Sequence, residues 1–115
     1  MLDQAVLVDE IVVAAQPEKL EEVAALVSSA GIRKPVRVVE GGASRAESVL
    51  LAALEASPEA KLLAVQDGAR PLVTPALIDR TVEAAAKCGA AAPAVPVKDT
   101  IKTVAEDGAV TGTPD

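Results

Sequence analysis

The stretch VRVVEGGASRAE at residues 36–47 predicts a strand, a tight loop and a helix start in immediate succession. The β-branched run at residues 36–39 is typical of a strand, and Gly41-Gly42 ends it. Ser44 and Glu47 have the spacing of a capping box, so a helix is expected over residues 45–56. A strand joined to a helix in this way is the building unit of α/β proteins.

Two further units of this kind flank that stretch. Residues 10–15 form an apolar run that predicts a buried strand, and Pro17 opens a helix whose apolar periodicity continues to Gly31. Residues 61–66 predict a third strand, and a helix begins at Thr74-Pro75 and ends near Cys88.

The last part of the chain predicts extended structure. Residues 91–97 contain two prolines and are expected to form a strand with an irregular end. Residues 101–104 and 109–111 predict a hairpin around Glu106-Asp107-Gly108.

Strands that alternate with helices predict parallel pairing through right-handed crossovers. The expected fold is a three-layer, Rossmann-like α/β domain over residues 1–115, with a mostly parallel sheet, helices on both faces and a β-arm beginning near the end.

The composition limits what such a domain can do. A net charge of −6 and the absence of aromatic residues argue against nucleic-acid binding. A single cysteine and no histidine rule out an internal disulfide and the usual zinc ligand sets. No apolar run approaches a membrane span, so a soluble protein of the reducing cytoplasm is expected. A core of small aliphatic side chains predicts marginal stability, which a partner chain would raise.

Three polar loops follow the carboxyl ends of predicted strands. Because ligands bind at this edge of parallel sheets, the loops are expected to lie together. They contain Gly41-Gly42, Asp67-Gly68-Ala69-Arg70-Pro71 and Lys98-Asp99-Thr100.

The glycine pair allows a ligand to approach the backbone, and the helix start at Ser44 is expected to offer unpaired N–H groups to anions or base-edge acceptors. Ser48, one turn into the helix, is expected to face this loop. An ordinary strand-to-helix turn with a good cap explains the same residues.

Charges at the end of a buried strand are costly unless they are paired or face a ligand. Asp67 is therefore a candidate to hold magnesium or a sugar hydroxyl, and Arg70 a candidate to clamp a phosphate. An Asp67–Arg70 ion pair that closes the turn is the alternative.

Residues 98–102 fit a phosphate-facing loop or a solvated edge strand equally well, and Cys88 is most simply a packing residue.

Three motifs together resemble the 2-C-methyl-D-erythritol 4-phosphate cytidylyltransferases of the non-mevalonate isoprenoid pathway. They are GGASRAESV at residues 41–49, DGARP at 67–71 and VKDTIK at 97–102. The flanking LVDEIVV at residues 7–13 and GTPD at 112–115 extend the likeness over almost the whole chain.

The resemblance implies transfer of a cytidylyl group from CTP to the phosphate of methylerythritol phosphate, with release of pyrophosphate. It also implies Mg²⁺ held mainly by the CTP phosphates rather than by a protein metal site, and a homodimer formed through the β-arm. By likeness, Asp67 and Arg70 are the catalytic residues, and Asp67, Arg70 and Thr100 bind the acceptor phosphate and its hydroxyls. The CTP-binding residues implied are Gly41, Gly42, Ala43, Ser48 and Ala69.

Members of this family also carry a preceding glycine-rich loop with an arginine and a lysine, and a following part with a further arginine, threonine and lysine. Because each lost transition-state donor costs a factor of about 10²–10³, this chain alone is expected to show little or no turnover. Two other interpretations stay open: a ribitol 5-phosphate cytidylyltransferase, and a non-catalytic folded fragment or dimerisation module.

Overall fold

Two parallel strands form the centre of the fold in the computed structural model, which describes residues 1–114. Strand β1 (Ile11–Ala15) pairs with strand β2 (Val36–Glu40) in a register that joins Ile11 to Val36 and Ala15 to Glu40. Strand β1 consists of isoleucine, valine and alanine, and three of the five residues of β2 are valine. Branched side chains of this kind suit a pleated surface. Parallel strands need a long crossover, which the first helix supplies.

Helix α1 (Leu20–Ser29) forms that crossover and packs against β2. A short 3₁₀ helix (Pro17–Lys19) leads into it, because proline fixes the backbone angle that a first helical turn requires. Gly31, at a φ of +65°, takes the left-handed conformation just past the helix end.

Two further helices begin at the predicted caps. In helix α2 (Arg45–Leu54) the Ser44 hydroxyl accepts a hydrogen bond from the Glu47 N–H at 3.1 Å, and the helix packs against both strands. Helix α3 (Pro75–Cys88) is capped by Thr74 and ends at Gly89, whose φ is +88°. The predicted helix starts are therefore confirmed, and α2 ends two residues earlier than predicted.

The predicted hairpin is present with slightly shifted bounds. Strand β3 (Thr103–Val104) pairs antiparallel with strand β4 (Val110–Gly112). Gly108 takes a φ of +84° in the turn, and the Asp107 carboxylate accepts the Ala109 N–H at 2.9 Å. The last residue of the GTPD match, Asp115, lies outside the described residues.

Residues 61–66 and 91–97 do not form the predicted strands. Both segments are irregular, and their branched side chains are largely exposed, as at Leu63 and Val95. A strand exists only when a neighbour completes its hydrogen bonds, and within residues 1–114 no segment pairs with either run. The parallel sheet of the described residues consequently has two strands.

The buried core of the described residues is small and aliphatic. It consists of Ala5, Ile11, Ala15 and Ile78. The chain exposes 8921 Å², whereas a compact monomer of its mass exposes roughly 5,800 Å². Because so little apolar surface is buried, hydrogen bonds and ion pairs between distant segments stabilise much of the tertiary structure.

Two carboxylates and one lysine fix the beginning of the chain, where residues Leu2–Gln4 form a 3₁₀ helix. Asp3 accepts the backbone N–H groups of Arg33 at 2.9 Å and Lys34 at 3.0 Å, and the Lys34 ammonium donates to the carbonyls of Leu2 and Ala5. The segment is thereby fastened to the chain just before β2.

Asp79 on α3 provides the second attachment. Its carboxylate accepts the N–H of Leu7 at 2.8 Å and of Val6 at 3.0 Å. These bonds lower the pKa of Asp79, the Leu7 bond most strongly. The backbone bond from Lys34 likewise lowers the pKa of Asp3. Both groups therefore favour the folded state in their ionised form.

None of the helices within residues 1–114 combines the length and apolar content that a membrane span requires.

Acidification is expected to loosen the attachment of the first residues. Because the pKa values of Asp3 and Asp79 are lowered on folding, their stabilisation is full above the ordinary aspartate value, about 3.9, and disappears as pH falls through the folded values. The urea unfolding midpoint of the wild type should therefore fall more between pH 6 and pH 3 than that of the double variant Asp3→Asn, Asp79→Asn.

The midpoint is measured by far-ultraviolet circular dichroism, since the chain has no Trp, Tyr or Phe. Asp99→Asn, an exposed aspartate in an irregular segment, is the control and should keep the wild-type acid dependence. Equal acid dependence in the wild type and the double variant would contradict the assignment.

Candidate functional site

The end of β2 leads directly into the glycine loop. The Gly41 N–H donates to the Ala15 carbonyl at 2.7 Å, which extends the β1–β2 ladder by one residue. The Gly42 N–H donates to Ser48 Oγ at 3.1 Å, and Ser48 Oγ donates to the Ser44 carbonyl at 2.9 Å. Ser48 thus faces the loop, as predicted, and holds it closed.

A side chain at Gly41 would crowd its neighbours, and one at Gly42 would overlap them. A Cβ on Gly41 would lie 3.0 Å from Ser48 Oγ and 3.2 Å from the Ala15 carbonyl oxygen. A Cβ on Gly42 would overlap the Glu47 side chain, with Glu47 Cβ at 2.6 Å. Close approach of neighbouring groups, rather than an unusual φ, therefore explains why both positions are glycine.

The amide groups of the loop are already occupied. The Ala43 N–H donates to Glu47 Oε2 at 2.8 Å, so Glu47 completes the capping arrangement by reaching back over the loop. The N–H groups of Gly41, Gly42 and Ala43 all have internal acceptors. At the helix start itself, the Glu47 N–H is capped by Ser44 Oγ. The loop therefore offers a ligand carbonyl oxygens rather than these donors.

The Asp67–Pro71 segment forms a tight turn that does not depend on a strand. The Arg70 N–H donates to the Asp67 carbonyl at 3.0 Å. The Gln66 side-chain amide bridges the turn by donating to the carbonyls of Asp67 at 2.9 Å and Arg70 at 3.0 Å. Ala69 is exposed at the tip.

Asp67 forms ion pairs with two arginines, Arg45 and Arg70. Arg45, in the first turn of α2, donates to Asp67 Oδ1 from Nη2 at 2.6 Å and from Nε at 3.1 Å. Arg70 Nε lies 3.5 Å from Asp67 Oδ2. The Arg45 hydrogen bond is the main reason that the pKa of Asp67 is lowered, and the charges of both arginines add to it. Asp67 is therefore a carboxylate at neutral pH.

The Asp67 turn borders a groove of about 340 Å³. Its lining includes Ile11 and Val13 of β1 together with Asp67, Gly68 and Arg70 of the turn. The Arg70 side chain is 80% exposed, so its guanidinium is accessible to an anion entering this region.

The third predicted loop is not joined to the other two by the bonds of the described residues. Thr100 is exposed in an irregular segment and, within residues 1–114, makes no side-chain hydrogen bond to either loop. Its role in the site stays a prediction. No group of three or more His, Cys, Asp or Glu side chains that could hold a metal ion occurs among the described residues.

Three more side chains complete the site, and of these the sequence predicts only Glu47, as the capping-box partner of Ser44. Arg45 joins the two loops, Glu47 covers the Ala43 amide, and Gln66 closes the Asp67 turn. Arg45 and Glu47 lie inside the GGASRAESV motif, and Gln66 immediately precedes Asp67. The sequence shows where these three residues stand. Their bonding partners lie across a loop or a turn, and the fold decides which groups come together there.

A parallel α/β unit in which a glycine loop and an aspartate–arginine turn meet at one end defines an α/β protein of the nucleotidyltransferase-like class. The solved structure of 4-diphosphocytidyl-2C-methyl-D-erythritol synthase from Anaerococcus prevotii matches 99% of this chain with a TM-score of 0.84 at 23% identity, which confirms the predicted fold class. The chain belongs to the 2-C-methyl-D-erythritol 4-phosphate cytidylyltransferase (IspD) family, whose family model matches residues 1–115.

Curated relatives agree with this membership. The 2-C-methyl-D-erythritol 4-phosphate cytidylyltransferase of Microcystis aeruginosa is 45% identical over 88% of this chain, and that of Nocardia farcinica is 47% identical over 95%. The chain spans about half the length of the curated relatives it matches, 45% and 46% for these two, and 49% of the Anaerococcus prevotii chain.

Gly42→Ala is expected to destabilise the loop. The added methyl group would displace Glu47 and break its bond to the Ala43 N–H, and overpacking of this kind costs about 1–3 kcal/mol. Gly68→Ala is the matched control, because a Cβ there meets nothing within 4 Å. Urea unfolding should show a lower midpoint for Gly42→Ala alone, and equal midpoints for the two variants would contradict the observed packing.

Proposed function

We propose that this chain forms the base-recognition and acceptor-phosphate part of an enzyme that transfers a cytidylyl group from CTP to 2-C-methyl-D-erythritol 4-phosphate. The observation that carries the proposal is the Arg45–Asp67 bond, which places the glycine loop beside the Asp67–Arg70 turn. Family membership supplies the identity of the substrates.

The chemistry of the glycine loop supports recognition of cytosine. Because the Gly41, Gly42 and Ala43 N–H groups have internal acceptors, the groups this loop presents are backbone carbonyls. A carbonyl oxygen accepts a hydrogen bond from the N4 amino group of cytosine, whereas uracil has an acceptor oxygen at that position. Ser48 sets the loop geometry and has lone pairs with which to contact the base.

The Asp67 turn suits the phosphate-bearing parts of the substrates. The exposed Arg70 guanidinium provides a forked donor for the acceptor phosphate, and the ionised Asp67 accepts hydrogen bonds from sugar hydroxyls. Ala69, at the tip of the turn, would lie beside the ribose, and Thr100 would add a hydroxyl to the acceptor phosphate.

In the proposed reaction, an oxygen of the acceptor phosphate attacks the α-phosphorus of CTP. A new P–O bond forms, the bond from the α-phosphorus to the bridging oxygen breaks, and pyrophosphate leaves. The described residues contribute by positioning the two substrates and by neutralising charge near Arg70. From the family likeness, we propose that Mg²⁺ would be held mainly by the CTP phosphates and would supply charge neutralisation there.

We also propose a cellular compartment and an oligomeric state for the enzyme. A cytoplasmic protein agrees with the single exposed cysteine. A homodimer formed through the β3–β4 hairpin agrees with the exposure of Val104, at 57%, and Val110, at 62%.

CTP binding tests the base-recognition half of the proposal. By isothermal titration calorimetry the chain should bind CTP more tightly than UTP, and Ser48→Ala should weaken CTP binding roughly tenfold through loss of a hydrogen bond and of the loop geometry. Ser28→Ala is the matched control, because Ser28 makes the same type of bond to the carbonyl four residues earlier on α1.

Pyrophosphate release with two acceptors then tests the activity. We expect any turnover to require 2-C-methyl-D-erythritol 4-phosphate, while preference for D-ribitol 5-phosphate would favour the related cytidylyltransferase. A folded chain that binds neither CTP nor either acceptor would contradict the proposal and support a non-catalytic module.

The proposed dimer is tested by sedimentation equilibrium. The wild type should sediment at twice its 11.6 kDa mass, and Val110→Asp should shift it toward the monomer by burying a charge in the hairpin interface. Val95→Asp, at a valine that is 85% exposed outside the hairpin, should leave the dimer intact. A monomeric wild type would exclude the hairpin interface.

A further inference from the structure

Arg45 has a position that neither base recognition nor phosphate binding accounts for. It begins α2, directly after the glycine loop, yet its guanidinium points to a turn 22 residues later in the chain. Two of its nitrogens, Nη2 at 2.6 Å and Nε at 3.1 Å, donate to the same Asp67 oxygen. The Arg45–Asp67 ion pair thus joins the two loops of the site directly.

Arg45 and Arg70 contact different oxygens of the Asp67 carboxylate, and the Arg45 contact is the shorter one. Arg45 occupies Oδ1 with two hydrogen bonds, while the Arg70 contact with Oδ2 is longer, with Nε at 3.5 Å. Within residues 1–114 the Arg70 guanidinium donates no hydrogen bond, and its side chain is 80% exposed. Because Arg45 already neutralises Asp67, Arg70 does not have to, and its forked end is left for an external anion.

We propose that Arg45 is a positioning residue that makes the glycine loop and the Asp67–Arg70 turn one unit, so that a nucleotide in the first loop organises the second loop for the acceptor phosphate. This inference rests on the proposed function for the identity of the ligands. Its structural part, the fixing of the Asp67 turn by Arg45, stands on the two bonds alone.

The chain offers a matched control for the loss of such a link. Arg37 on β2 makes a comparable ion pair with Glu10, with Nη2 at 3.0 Å from Oε2. The two arginines are both substantially exposed, 49% for Arg37 and 70% for Arg45, but the Arg37 pair touches neither loop of the site. Arg37→Gln therefore removes an ion pair of similar kind without affecting the proposed coupling.

The experiment compares wild type, Arg45→Gln, Arg45→Lys and Arg37→Gln by calorimetric titration and by ¹H–¹⁵N spectra. In the wild type, saturation with CTP should tighten binding of 2-C-methyl-D-erythritol 4-phosphate. Arg45→Gln should abolish this coupling and weaken acceptor binding roughly tenfold, within the range typical of coupled sites. Arg45→Lys keeps the charge but loses the fork, so it should recover part of the coupling, and Arg37→Gln should retain all of it.

The amide resonances of residues 67–70 report on the turn without any ligand. Arg45→Gln should shift them, while far-ultraviolet circular dichroism confirms that each variant is folded. Unchanged resonances, or wild-type coupling in Arg45→Gln, would overturn the inference while leaving CTP binding by the wild type, and with it the proposed function, intact. If the wild type binds neither ligand, the proposed function and the coupling both fail, and shifted resonances would then support only the fixing of the turn.

Discussion

The hydrogen bond from the Gly41 N–H to the Ala15 carbonyl determines where the site begins. It is the last bond of the parallel β1–β2 register, and it places the glycine loop over the end of β1. The loop then reaches α2 within a few residues, so the direction of the first turn of α2 follows from the strand register. Since Arg45 lies in that turn, the position of Asp67 is linked to the register as well.

The anion site proposed at Arg70 lies in a chain that is acidic overall. The net charge is −6, which opposes the approach of a triphosphate at long range. At short range, two arginines surround one carboxylate, which leaves a local excess of positive charge near Arg70. Screening at physiological salt shortens the reach of the unfavourable net charge more than that of direct contacts. For an anion close to Arg70, the local charges of Arg45, Asp67 and Arg70 therefore matter more than the net charge of the chain.

Local features of the sequence predicted local features of the structure. The caps at Ser44 and Thr74 and the glycine at position 108 act through bonds or angles within a few residues, and each was found where expected. Residues 61–66 have strand-like composition, but a strand depends on a distant neighbour that the pattern does not reveal. For the site, the motifs predict roles for Gly42, Ser48, Asp67 and Arg70, whereas the Arg45–Asp67 link depends on which loops the fold brings together.

The contact of Asp79 with Val6 and Leu7 spans more than 70 residues of a chain of 115. A bond of such long sequence separation closes a large loop of chain, and the entropy cost of that loop is offset by the contacts formed inside it. Once made, it joins the beginning of the chain to α3. Protection of the Val6 and Leu7 amides from hydrogen exchange therefore reports whether the beginning of the chain stays attached to α3.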